Sequence, residues 1–221
     1  MDFIEKPIKN IIIQFDINYN QFEEDYEVFL GKLDTNDLRK ELQIPETDHL
    51  KKNGTFNRGI YYLHNNNLQY SRIRIQKLQW TTIIDGKEIK RYISVFPSFV
   101  IKYNKVSVDT IEYISNTCRK GEDIFTVIND PECVLSSEDL LHRACQKVNE
   151  TCNQRNYASI LNTKYTEVYD IPISFPELID KIDDYRYPAN YELYKAGKVF
   201  TGEFAEFGVL ATLNRLFKFL R

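Results

Sequence analysis

An α+β fold, an antiparallel β-meander followed by a helical bundle, is predicted by three features of this 221-residue sequence. Between Gly59 and Phe99 the apolar side chains recur at every second position, the period of a strand. Inside that stretch, Asp85–Gly86 separates two such runs and forms a strong two-residue hairpin signal. After Pro97 the apolar spacing becomes helical, with Ser107 placed as an N-cap and Gly121 just past the end of the first helix.

Ile11–Ile12–Ile13, with Phe15 and Ile17 alternating after it, reads as a β-branched strand. Gln21 to Leu30 sets Phe22, Tyr26, Phe29 and Leu30 at helical spacing. Asp34 or Thr35 is suited to cap a short helix through Leu42, closed by Pro45. Within the meander, Ile60–Leu63 is a strand, Asn65–Asn67 a turn and Leu68–Gln79 the return strand. Along the return strand, Ile73 and Ile75 point one way while Arg72, Arg74 and Gln76 point the other. Thr81–Ile84 and Lys87–Phe96 flank the Asp85–Gly86 turn.

Three helices are expected next. Val108–Arg119 turns Ile111 and Ile114 to a core, Glu122–Asn129 forms a shorter helix, and Asp130–Pro131 ends it. A long helix, capped by Ser136 or Ser137, runs to about Cys152 with Leu140, Leu141, Ala144, Cys145 and Val148 as its apolar stripe. Three helices with a tight connection before the last match the helix-turn-helix plan. Beyond Asn153 the chain is rich in Tyr and acids. It closes with Glu203–Arg221, where Phe204, Phe207, Leu210, Leu213, Phe217 and Leu220 fall near one face.

Composition narrows the function. Hydrophobic residues make up 43% and charged residues 28%, as in ordinary globular chains, and 8 Gly and 7 Pro argue against long linkers. No apolar run reaches the ~20 residues that span a bilayer, and the first residues lack a signal-peptide pattern, so the expected location is cytoplasmic. Cys118, Cys133, Cys145 and Cys152 form no C-x-x-C pair and are expected to pack as small apolar groups. His49, His64 and His142 match no metal spacing, and no site motif for catalysis or a small-molecule substrate is present. The net charge of −3 opposes nucleic acid unless a basic surface is concentrated locally.

Three segments carry a resemblance. His49-Leu-Lys-Lys-Asn-Gly-Thr-Phe-Asn-Arg58 leads into Ile60-Tyr-Tyr-Leu63; Arg72-Ile-Arg-Ile-Gln-Lys-Leu78 follows; then comes Ser94-Val-Phe-Pro-Ser-Phe-Val-Ile-Lys-Tyr103. Together they resemble the small insertion-sequence, transposase-related proteins in which a zinc ribbon precedes a helix-turn-helix. The resemblance covers roughly Leu42 to Val148. That family places a C-x-x-C pair before each of two of these segments, whereas this chain has no Cys before Cys118. The ribbon is therefore expected to be degenerate and free of zinc, its metal knuckles replaced by apolar contact and the Asp85–Gly86 turn. No cofactor is expected.

Four regions follow from this reading: an N-terminal strand and helix over 1–41, a metal-free meander over 42–103, a helix-turn-helix-like bundle over 104–152, and a Tyr-rich C-terminal region over 153–221. The resemblance implies a non-catalytic protein that binds double-stranded DNA. On the proposed reading helix, Ser137, His142, Arg143, Gln146 and Lys147 form the exposed face. Ser, Arg and Gln suit base edges and Lys suits phosphates, although Glu138 and Asp139 put acids in the first turn. On the meander, Arg72 and Arg74 form a short basic strip on one face with Lys77 close behind, and Arg58, Lys87, Lys90 and Arg91 lie nearby in sequence. The C-terminal helix is the expected surface of a homodimer. The alternative function is a protein-interaction module of a mobile element, phage or plasmid that has lost DNA binding.

Overall fold

The computed structural model describes residues 10–13, 22–64, 67–118, 135–155, 186–202 and 208–217. Among them lie four strands of one sheet and six helices, an α+β arrangement. The expected helix over 122–129, most of the Tyr-rich stretch, and Phe204, Phe207 and Leu220 lie outside the described residues. No helix among the described residues is long and apolar enough to cross a membrane.

The strands are β1 (Asn10–Ile13), β2 (His49–His64), β3 (Asn67–Ile84) and β4 (Lys87–Pro97), in the sheet order β1-β4-β3-β2. β3 and β4 pair antiparallel from Gln76↔Val95 to Ile84↔Lys87, so Asp85 and Gly86 alone make the turn. Both have positive φ, 51° and 72°, the geometry of the tight hairpin turn that Asp-Gly favours. β1 is the exception to the antiparallel pattern and joins the edge parallel to β4, from Asn10↔Ser94 to Ile13↔Pro97.

Two features of the meander differ from the sequence pattern. β2 begins at His49, although Lys51–Asn57 shows no apolar alternation; pairing with β3, rather than burial of one face, makes it a strand. The second difference lies on β3, where Ile73 and Ile75 are buried and Arg72 and Arg74 exposed, as expected, but Gln76 is only 7% exposed. Its side-chain amide donates to the backbone oxygens of Gly54 and Lys77, both at 2.8 Å. The alternation thus changes parity between Ile75 and Leu78, level with Gly54, whose φ is 69°. From there on Gln76 and Leu78 are the buried residues, and Lys77 between them is half-buried.

The chain forms two compact units. The first comprises Met1–Gly59 with Ser71–Pro97, and the second Ile60–Tyr70 with Ser98–Arg221. The units therefore interleave along the sequence rather than following one another. In the first, α1 (Phe22–Lys32) buries Tyr26 and Leu30, and the Tyr26 hydroxyl donates to the Arg74 carbonyl at 2.7 Å.

α2 (Thr35–Glu41) starts where Asp34 accepts the backbone N–H groups of Asn36 and Asp37. It ends in a Schellman turn, with Gln43 N–H on the Lys40 carbonyl and Ile44 N–H on the Arg39 carbonyl. Gln43 takes a φ of 53° there, on an exposed site where glycine is the better residue. Gln43→Gly is expected to stabilise by about 0.5–1 kcal/mol, a rise of about 1–4 °C in Tm by circular dichroism. An unchanged or lower Tm would show that the left-handed turn carries no strain.

The second unit is built on α3 (Val108–Thr117), α4 (Leu135–Arg155), α5 (Pro188–Thr201) and α6 (Val209–Phe217). Ser107 caps α3 as expected, its hydroxyl accepting the Thr110 N–H at 3.2 Å. The tip of the β2–β3 hairpin is stitched to the segment before α3 and to the first turn of that helix. Tyr61 N–H donates to the Lys105 carbonyl, Ser107 N–H to the Tyr61 carbonyl, and Leu63 N–H to the Thr110 hydroxyl. α4 begins at Leu135, so Ser136 and Ser137 lie inside its first turn instead of capping it. Cys118 and Cys145 are buried thiols, packing in the helical core; Cys133 and the Cys152 side chain lie outside the described residues.

Side chains from other elements cap or brace the last two helices. α5 has no cap of its own at Tyr187, and the Asn149 side chain from α4 accepts the Ala189 N–H at 2.9 Å. Glu112 of α3 is fully buried and its carboxylate accepts the Leu210 N–H at 2.6 Å, with the N–H groups of Val209 and Gly208 beside it. Burial pushes the Glu112 carboxyl up to about 8, and the three N–H groups oppose part of that rise. Asn190 bridges α3 and α4 through the Ser115 hydroxyl and the Cys145 carbonyl, and Asn214 holds the Ser98 carbonyl. α6 buries Val209, Leu210, Ala211 and Leu213, so much of its apolar surface is spent on the core, while Arg215 and Leu216 remain exposed.

Candidate nucleic-acid interface

Charge is distributed unevenly along the chain. Nine of its 29 Lys and Arg lie in His49–Pro97, against two of its 32 Asp and Glu. None of the nine falls in the Ile60–Tyr70 tip, so the entire surplus belongs to the first unit. A long strand pair can carry such a surplus because alternate side chains leave the core and reach water.

The nine cations are not equivalent. Arg58 is partly buried with its guanidinium 5.6 Å from the Phe96 ring, and burial pulls its pKa down. Arg91 lies 4.8 Å over the Trp80 ring, and the Trp80 indole N–H donates to Asp48 at 2.7 Å. These two serve packing. Arg74 is exposed but engaged by the Glu27 carboxylate through both its Nε and Nη2. An exposed pair of this kind contributes little to stability and can be exchanged for another anion.

Arg72 is exposed on β3 with Arg74, whereas Lys77 is half-buried. Lys77 faces Ser94 across the strands, Gln79 faces Tyr92, and Thr81 faces Lys90. Tyr92 is 58% exposed, and Lys90 is exposed with Glu88 at 2.9 Å. The sequence reading identified Arg72, Arg74 and Lys77 but not Tyr92. Its signal was available: after the Asp85–Gly86 turn, strand alternation puts Lys90 and Tyr92 on the same side as Lys77.

The second set of expected residues lies on α4, in the other unit. Arg143, Gln146 and Lys147 are exposed there, as the helical stripe required. Arg143 Nε donates to the Asp139 carbonyl at 3.0 Å, and Gln146 donates to Glu150 at 2.9 Å. Asp139 and Glu150 balance Arg143 and Lys147, so this face has no surplus of positive charge.

His142 does not join that face. It is half-buried, with Nδ1 2.6 Å from the Tyr187 hydroxyl and Arg186 Nη1 3.2 Å from Nε2. The ring is held by the segment leading into α5, which the helical spacing of α4 alone does not reveal. Ser137 lies in the first turn of α4, and its side chain is outside the described residues.

Among the described residues no group of three or more His, Cys, Asp or Glu is placed to hold a metal ion. Complete burial pushes the Cys145 thiol up, which removes thiolate character from that site. Compared with family models, curated proteins and solved structures, the chain has no match in any of the three.

Proposed function

We propose that the chain is a non-catalytic DNA-binding protein of the transposase-related kind, with a metal-free ribbon-like meander followed by a helix-turn-helix-like bundle. The observation that carries this reading is the concentration of nine cations against two anions in His49–Pro97 of a chain with net charge −3. Phosphate contact by Arg72, Arg74 and Lys77 releases counterions and supplies affinity for any duplex. α4 acts as the reading helix, with Arg143 and Gln146 toward base edges and Lys147 toward phosphate.

The alternative is a protein-interaction module. It is favoured by the balanced charge of α4 and by the enclosure of His142, both of which weaken base reading. Titration of labelled duplex pools at low salt separates the two. For DNA binding, Arg72→Ala with Lys77→Ala weakens all duplexes alike, while Arg143→Ala costs about 1–3 kcal/mol on the preferred sequence. Absence of any complex at micromolar protein overturns the DNA reading and leaves the interaction module. Loss with the first pair and indifference to Arg143→Ala means backbone binding without sequence reading.

A further inference from the structure

We propose that the exposed face shared by β3 and β4 is a platform for single-stranded nucleic acid, with Tyr92 stacking a base and Lys77 and Lys90 meeting the flanking phosphates. This rests on the DNA-binding reading and adds single strands to the forms of nucleic acid that the sheet takes. The argument starts from register. Gln79 and Tyr92 are directly opposite one another, with Lys77–Ser94 the pair on one side along the same face and Thr81–Lys90 the pair on the other. Strand alternation therefore sets a large aromatic ring between two cations, with amide and hydroxyl groups beside it.

Tyr92 is 58% exposed, unlike Trp80 on the opposite face, whose indole is tied to Asp48 and covered by Arg91. Lys90 is paired with Glu88, but both side chains are more than half exposed, so a phosphate can replace the carboxylate. The Gln79 amide donates to the Thr81 hydroxyl at 3.2 Å, which holds that row of polar groups along the strand.

Charge complementarity chooses a polyanion over a neutral or basic partner, given the cation surplus of the segment. Geometry then chooses the single strand. A ring lying on a sheet face cannot reach the paired, stacked bases of a duplex, whereas an unpaired base can lie on it. Stacking of this kind tolerates any base, because every base presents a π-face.

The test measures fluorescence anisotropy of a labelled oligothymidine and of a mixed-sequence duplex at low salt. The proteins are the full chain, Tyr92→Ala, Tyr92→Phe and Lys77→Ala with Lys90→Ala. Tyr92 is exposed and outside the core, so an unchanged melting curve for Tyr92→Ala is expected and is checked first. The proposal predicts that Tyr92→Ala weakens oligothymidine roughly five- to hundredfold and that Tyr92→Phe restores it to within about twofold. The lysine pair should reduce the salt dependence of binding, and duplex affinity should respond little to Tyr92→Ala.

Equal loss for both ligands, or none for either, overturns the single-strand platform while leaving DNA binding intact. Failure of both ligands to bind the wild-type chain overturns the DNA-binding reading together with this one. A platform that instead docks an acidic protein would appear as absence of both complexes.

Discussion

Gly197→Ala destabilises the helical unit, although alanine is by about 1 kcal/mol the better helix former. A Cβ at Gly197 would stand 2.5 Å from Leu213 Cδ1, 2.6 Å from Val209 Cγ1 and 3.0 Å from Leu213 Cγ. Both neighbours are fully buried in α6, so neither can swing into solvent. Overpacking at such a contact costs about 1–3 kcal/mol and exceeds the gain in helix propensity. The expected outcome is a Tm lower by about 2–8 °C. Gly31 in α1 is the matched control: nothing lies within 4 Å of its Cβ position, so Gly31→Ala should be neutral or stabilising. Combining Gly197→Ala with Leu213→Ala should cost less than the two separate losses added together, because the second change makes room for the first.

Glu112 gives the second large effect. Glu112→Ala leaves the Leu210 N–H buried without its acceptor, at a cost of about 1–3 kcal/mol. Glu112→Gln keeps an acceptor oxygen and is neutral at every pH, so it should fold. The two variants also separate the cap from the charge. With the folded carboxyl raised to about 8, the folded chain holds a proton that the unfolded chain releases near its ordinary value of about 4.3. That contribution to stability is fully present below the unfolded value and is lost as the pH rises through the folded value. Urea midpoints of the wild type should therefore fall between about pH 4.5 and pH 8, and Glu112→Gln should flatten that part of the profile. Parallel profiles for wild type and Glu112→Gln would show that Glu112 is ionised in the folded state.

The elements written into short stretches were legible in the sequence. Asp85–Gly86 specifies its turn through backbone preferences of two residues, and Asp34 and Ser107 specify helix starts through their own side chains. The alternation of Ile73, Ile75, Arg72 and Arg74 gave the two faces of β3 correctly up to Ile75. It failed at Gln76 because the partner of that amide is the Gly54 carbonyl, 22 residues away, and no local period encodes it. The first half of β2 was missed for the same reason, since its strand character comes from pairing and not from its own pattern.

On the candidate site, exposure of Arg143, Gln146 and Lys147 followed from helical spacing alone. The withdrawal of His142 did not, because its hydroxyl partner, Tyr187, is 45 residues further along the chain. The Asn149 and Glu112 contacts at the starts of α5 and α6 are equally non-local, 40 and 98 residues from the N–H groups they accept. The basic surplus of His49–Pro97 was visible in sequence; the placement of Lys77 and Lys90 on either side of Tyr92 required the register of β3 against β4.

The most direct measurement of the central claim is the salt dependence of nucleic-acid binding by the full chain. An acidic protein that binds through a local basic face should lose affinity linearly on logarithmic axes as salt rises. Arg72→Ala together with Lys77→Ala should make that line shallower by about one unit for each phosphate contact removed. No complex at low ionic strength, or a complex indifferent to both salt and these two residues, would contradict the assignment of the β3–β4 region as a nucleic-acid interface.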